Sequence, residues 1–219
     1  MIIPFSTVNE MLKKQGITVN GILHVGAHTC EEMDAYKSQG ISEESIAWIE
    51  AQGDLVQKMK DKGVPNIFQH CILDVETTVP FWKTTNGESS SVLEFQTHAT
   101  HHPHVKVCGQ DMLDTITLKR FLDDKPQFAK FNFWNLDIQG VELRAIKSAG
   151  DYIDNVDAIY TEVNTEEVYQ GCDQMSEITE YLTEKGFALM GHHIFKEYGW
   201  GDALYCRVKK IVKMKYFDT

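Results

Sequence analysis

No stretch of this 219-residue chain approaches the roughly 20 consecutive apolar residues that a membrane-spanning helix requires, so no membrane partner is expected. The opening Met1-Ile2-Ile3-Pro4-Phe5 lacks a basic segment and a sustained apolar run. It reads as a cap packed on the domain, not as a secretory signal. No Cys-x-x-Cys pair occurs. The five cysteines (Cys30, Cys71, Cys108, Cys172, Cys206) are odd in number and scattered, which speaks against a disulfide framework or a zinc site. Reduced thiols and a cytoplasmic location are the expectation. An excess of positive charge is also missing. With 21 Lys and Arg against 32 Asp and Glu, the formal net charge is −11, and no nucleic-acid partner is expected. The one basic cluster, Lys209, Lys210, Lys213 and Lys215, reads as a solvated last strand. Internal repeats are absent, and the only biased tract is the histidine cluster His98, His101, His102 and His104. Its spacing matches no standard zinc pattern, so it reads as a polar surface loop or a substrate-contacting one.

What is present is an alternation of strand and helix signals, which predicts a mostly parallel sheet covered by helices. Length and a 42% apolar content suit a single domain over 1–219. Residues 1–20 form an N-terminal cap, in which Ser6-Thr7-Val8-Asn9-Glu10 predicts a capped helix start. Strands are predicted over 21–25, 45–49, 66–72, 131–136 and 156–162. Helices are predicted over 31–39, 54–62, 117–123, 141–149 and 176–185. The segments 187–194 and 202–208 read as a closing antiparallel hairpin. Residues 76–110 break the alternation, with short strands at 79–82 and 105–107 around a loop rich in Ser and His. This is an insertion of the kind that carries substrate contacts.

In an open α/β sheet, ligands bind beyond the carboxyl ends of the strands, where the strand order reverses. The polar residues predicted at those ends are Gly26, Glu50, Asp74, Asp137 and Glu162. Gly26, before Ala27 and His28, permits a close backbone approach and opens a helix N-terminus; a tight turn without ligand explains the same pattern. Glu50 stands 24 residues later, where a carboxylate accepts hydrogen bonds from a ribose diol; capping the next helix is the alternative. Asp74 could receive an adenine amino group or form a turn. Asp137-Ile138-Gln139-Gly140-Val141-Glu142 carries the strongest local signal. Asp137 ends an apolar strand, Gly140 allows an abrupt turn, and Glu142 falls where a helix favours negative charge.

Taken in order, His24-Val25-Gly26-Ala27-His28, Trp48-Ile49-Glu50, Ser89-Ser90-Ser91-Val92-Leu93, Asp137-Ile138-Gln139-Gly140-Val141-Glu142 and the strand ending in Glu162 resemble the FkbM family of S-adenosylmethionine-dependent methyltransferases. The resemblance runs from about residue 20 to residue 190. It implies a class I, Rossmann-like fold with a seven-stranded sheet, helices on both faces, and O-methylation of sugar or natural-product hydroxyls. Gly26, Ala27 and His28 would then face the methionine part of the cofactor, Glu50 its ribose, and Asp74 its adenine. Ser90 and Gln139 would complete the cofactor site, and Asp137 would lie near the sulfonium and the acceptor. The sequence departs from the family at His24, His28 and Cys30, where an acidic residue and loop glycines are usual.

A hydroxyl needs a base or a metal to become nucleophilic. In one version Asp137 or a histidine of the insertion, such as His98, removes the proton. In the other, Asp137, Glu162 and Asn164 hold Mg²⁺, whose ligands are oxygens. Glu162 could instead be a buried, paired carboxylate. Phe131, Phe133 and Trp134 read as core, while Tyr169, Tyr198 and Trp200 suit a sugar face. The leading expectation is O-methylation of a sugar or glycan. O-methylation of a small natural product, or a non-catalytic module that keeps the fold, are its rivals. No Asn- or Asp-Pro-Pro-aromatic element follows the fourth strand, which removes support for N-methylation of nucleic acid. No heptad marks a partner helix, and a homodimer stays open.

Overall fold

The computed structural model describes residues 1–208. The Lys209–Lys215 cluster lies outside them. Seven strands form one sheet in the order β3(Ile67–Gln69), β2(Ile46–Glu50), β1(Ile22–Val25), β7(Phe133–Leu136), β8(Ala158–Asn164), β10(Trp200–Arg207), β9(Phe187–Phe195). The first five of these pair in parallel, and β10 runs antiparallel to both neighbours. This is the α/β class I arrangement with a closing hairpin.

Both faces of the sheet are covered because its strands are apolar on both sides. In β1, Leu23 and Val25 join a core with Phe121, Ile146 and Leu182 of α5(Leu118–Asp124), α6(Glu142–Ser148) and α7(Met175–Glu184). Ile22 points the opposite way, as the period of two requires, and packs with Val8, Tyr36 and Met59. Those three belong to α1(Phe5–Lys14), α2(Met33–Ser38) and α3(Gly53–Asp61). Phe133 and Trp134 divide in the same way, one to each core.

Three expectations need correction. The third strand is broken at His70, whose N–H donates to the Glu50 carbonyl at 3.0 Å. The chain then leaves β2 and continues as β4(Cys71–Ile72) on a different partner, β6(Val107–Ile116). The insertion is likewise more regular than its polar composition suggests. β5(Thr78–Thr84) pairs with the ten-residue β6, so β4, β6 and β5 form a second, three-stranded sheet. Strand pairing overrides the composition here, because the exposed face of an edge hairpin tolerates polar residues. Val105, expected in a strand, is buried in the loop before β6, and α4(His98–His101) is a single turn. Finally, α1 starts at Phe5 without a side-chain cap. Pro4 supplies the fixed φ of the entry, and its carbonyl accepts from Thr7 and Val8.

Candidate active site

The strand order reverses between β1 and β7, whose last residues Val25 and Leu136 are register partners. Gly26 and Asp137 therefore emerge side by side, and the Asp137 N–H donates to the Val25 carbonyl at 2.9 Å. Gly26 has φ 87°, and a Cβ there would lie 1.7 Å from the Asp137 carbonyl oxygen. Glycine is thus required for the two strand ends to touch. A cleft of about 840 Å³ opens above them, within the range of ligand pockets.

One half of this cleft is set by backbone. The turn after Gly26 brings the His28 N–H to Glu50 Oε2 at 2.7 Å, and the Gln52 N–H reaches Oε1 at 2.8 Å. Glu50 is fixed at the end of β2 and buried, and burial pushes its carboxyl above the usual range. His28 and Cys30 both adopt positive φ, 42° and 56°, a region that side chains enter at a cost. His28 is held by Glu31, whose Oε1 meets its Nδ1 at 2.5 Å. Burial would raise Glu31, but bonds from His28 and Thr29 outweigh it and hold the carboxyl at about 2.

The other half centres on Gln139, which has φ 59°. Its Nε2 donates to Asp137 Oδ1 at 2.6 Å and to Glu162 Oε2 at 2.5 Å, so one amide spans both carboxyl groups. The Tyr169 hydroxyl donates to Gln139 Oε1, and the backbone carbonyl of Gln139 accepts from Ser91 Oγ at 2.8 Å. Burial, and then the charge of Asp137, push Glu162 well above the ordinary carboxylate range. Beneath the turn, Glu142 accepts from the Ile138 and Gly140 N–H groups at 2.9 and 3.1 Å. Those bonds favour its charged form, yet burial dominates and raises it to about 8.

Three of the four clustered histidines, His98, His102 and His104, line the cleft. His98 is 6% exposed, stacks on Phe95 with ring centroids 4.0 Å apart, and places Nε2 3.2 Å from Ser89 Oγ. Its Nδ1 is buried and has no hydrogen-bond partner among the described residues. Burial, reinforced by the neighbouring imidazoles, lowers His98 to about 4, so it is neutral near pH 7.

Of the residues read from sequence, Gly26, His28, Glu50, Ser90, His98, Asp137, Gln139 and Glu162 all line this cleft. Ala27 is buried behind it. Two others are not brought there. Asp74 follows the break at His70 and stands exposed off the cleft, while His70, Cys71 and Ile72 line it instead. Asn164 lies one turn of the pleat beyond Glu162 but lines a separate pocket beside α7, so the set Asp137, Glu162 and Asn164 does not converge. Tyr169 is buried and used as a hydrogen-bond donor, Trp200 lines the cleft, and Tyr198 stands behind it, 5.0 Å from the His102 ring. Sequence reasoning missed Asp202 and Tyr160, which are bonded to each other on the cleft wall. An aspartate inside the apolar run of β10 was the signal that could have found it. All five cysteines are free.

Residues 24–189 match the profile of the Methyltransferase FkbM domain. The chain belongs to the FkbM methyltransferase family. It is a methyltransferase, and its cofactor is S-adenosylmethionine. Among solved structures, an S-adenosylmethionine-dependent methyltransferase from Clostridium acetobutylicum ATCC 824 shares the fold with a TM-score of 0.50 at 7% identity. The match covers 93% of this chain and 90% of that one. Magnesium protoporphyrin IX methyltransferase from Synechocystis PCC 6803 reaches a TM-score of 0.47 at 11% identity, over 93% and 77% of the two chains. No curated protein matches the sequence. The FkbM chain's residues fit the cofactor: a buried carboxyl, Glu50, sits beside a glycine turn at the strand-order reversal, and the cleft has room for a nucleoside. Among the described residues no helix is long and apolar enough to cross a membrane.

Proposed function

We propose that this FkbM domain transfers the methyl group to a hydroxyl of a sugar or glycan. When bound, S-adenosylmethionine supplies an electrophilic methyl group on a sulfonium. Every other requirement falls on the protein: to hold the acceptor oxygen in line, and to take its proton.

The observation that carries this reading is the unpartnered Nδ1 of His98, buried on the wall of the cleft that also holds Asp137 and Glu162. A buried polar atom without a partner costs free energy, and an acceptor hydroxyl supplies the missing hydrogen bond. Because His98 is neutral, its free ring nitrogen can accept that proton. The Ser89 hydroxyl at Nε2 orients the ring. Asp137 stands at the strand reversal, where its carboxylate favours a positive sulfonium. The Gln139 amide bonds Asp137 and Glu162 at once, and burial with the neighbouring Asp137 favours the neutral form of Glu162. With Gln139 Nε2 already between the two carboxyl groups and Asn164 elsewhere, proton removal by His98 or Asp137 is favoured over a metal-held hydroxyl.

A sugar is favoured over a more apolar acceptor by the polar wall of Ser89, Ser90, Asn86 and the three histidines, with Trp200 available as an aromatic face. The test is methyl transfer from labelled S-adenosylmethionine to a panel of sugars, with and without Mg²⁺, followed by location of the methyl group. Transfer to oxygen that weakens strongly in His98→Ala supports the reading. Transfer to nitrogen or carbon only, or to no sugar in a protein that binds S-adenosylhomocysteine, would sink it.

A further inference from the structure

The charge of the cleft is predominantly negative, and its fixed cation is the Met1 amine, already paired with Glu32. Among the described residues, neither a lysine nor an arginine lines it. Carboxyl groups do so on every side: Glu31 and Glu32 on the turn after β1, Glu50, Glu88 at the rim, and Asp137, Glu162 and Asp202 at the strand ends. Several are already matched. Glu31 is held by His28, Glu32 by the Met1 amine, and Glu50 by two backbone N–H groups. Asp137 and Glu162 share the Gln139 amide, and Asp202 accepts from the Ile2 N–H and the Tyr160 hydroxyl, so these three meet only neutral donors, and exposed Glu88 has no ion-pair partner within 4.0 Å among the described residues.

S-adenosylmethionine brings one net positive charge. Even with a proton on Glu162, that leaves the loaded cleft negative. A phosphate, a nucleotide diphosphate or a carboxylate on the acceptor would enter this field with no arginine or lysine to receive it, which is unfavourable by direct repulsion and by lost hydration. An ammonium group meets the opposite situation. Of the histidines that line the cleft, His24, His70, His98 and His102 are lowered, in each case first by burial, and His28 is taken up by Glu31.

Resting on the O-methylation reading, we propose that the acceptor carries no anionic group and that an amine-bearing sugar is preferred over its neutral and phosphorylated counterparts. The exposed carboxyl group of Glu88 at the rim is the site that would receive the ammonium. The same field excludes nucleotide-linked sugars.

The experiment uses a panel of methyl glycosides, each in amine, N-acetyl and 6-phosphate form. Binding to S-adenosylhomocysteine-loaded protein is read by ligand-observed NMR, and methyl transfer is read separately. The expected order is amine, then N-acetyl, then phosphate, with about tenfold or more between the first and the last. Added salt should narrow the gap. Glu88→Lys should shrink it from the rim while leaving the melting temperature unchanged. Phosphorylated or nucleotide-linked forms that bind as well as the amines would overturn the proposal. So would amines that bind no better than N-acetyl forms, or no amine binding at all. Amine sugars that bind in the expected order but gain no methyl on oxygen overturn the O-methylation reading alone.

Discussion

The two halves of the cleft are built by different means. The half proposed to hold the cofactor is made of strand ends: Gly26 against the Asp137 carbonyl, and Glu50 locked by two backbone N–H groups. The half proposed to receive the acceptor is made of loops tied by side chains, with Gln139 bonded to Asp137, Glu162 and Tyr169, and with Ser89 bonded to His98. The first inherits its precision from the sheet. The second owes its shape to a hydrogen-bond network that is expensive to leave half made. Damage to the first should therefore appear as lost folding or lost cofactor, and damage to the second as lost turnover.

The largest effect is expected at Gly26. In Gly26→Ala the new Cβ meets the Asp137 carbonyl at a positive φ, which should cost about 4 kcal/mol or more, seen as a collapse of the melting temperature. Near-normal melting would show that the strand ends are not the rigid frame described here. His98→Ala should lower kcat about a hundredfold while the affinity for S-adenosylhomocysteine stays put. Equal losses in both would erase the distinction between the halves. Glu50→Ala should weaken S-adenosylhomocysteine about thirtyfold by calorimetry, as loss of a hydrogen-bonded charged group does.

Next comes pH. Glu142 is protonated up to about 8 in the folded protein but only to 4.5 when unfolded, so the native state binds more protons between those values. Its contribution is full below pH 4.5 and fades as pH rises through 8. Melting curves of Glu142→Gln should fall less steeply over that window than those of the wild type. An unchanged slope would mean Glu142 is charged in the fold. The smallest effect is expected at Asp74→Ala, where cofactor affinity should change by less than about twofold because the side chain is exposed and off the cleft. A large loss there would place Asp74 in the site after all.

This division also explains what the sequence made legible. Strand ends are periodic features, so Gly26, Glu50, Asp137 and Glu162 could be placed by pattern before any coordinates. The break in the third strand could not be resolved, because the two polar residues Gln69 and His70 between Ile67-Phe68 and Cys71-Ile72 do not say which partner each half takes. The pairing of Cys71 and Ile72 with β6 shows that the chain changes sheets after His70, and with that change Asp74 is carried away from the cleft. Asn164 failed for a similar reason: its distance along β8 from Glu162 was known, but not that α7 hides it. Gln139 was read as a cofactor contact, while its bridging of two carboxyl groups depends on a positive φ that no propensity announces. The serine triplet was visible as a motif, but its three separate duties were not. Ser89 bonds His98, Ser90 bonds the Thr84 N–H, and Ser91 bonds the Gln139 carbonyl.

The second sheet enters and leaves the main fold at a single place. Ile72 and Ile116 are register partners, and the Leu73 N–H returns to the Ile116 carbonyl at 3.0 Å. Between them the chain has its own ladder, but its tip is tied back to the loop after β8: Phe95 bridges Tyr169, and the Gln96 and His98 N–H groups both donate to the Val168 carbonyl. The histidine wall is thus braced from two directions, and a change in the length of the insertion has to preserve its fit to the loop after β8.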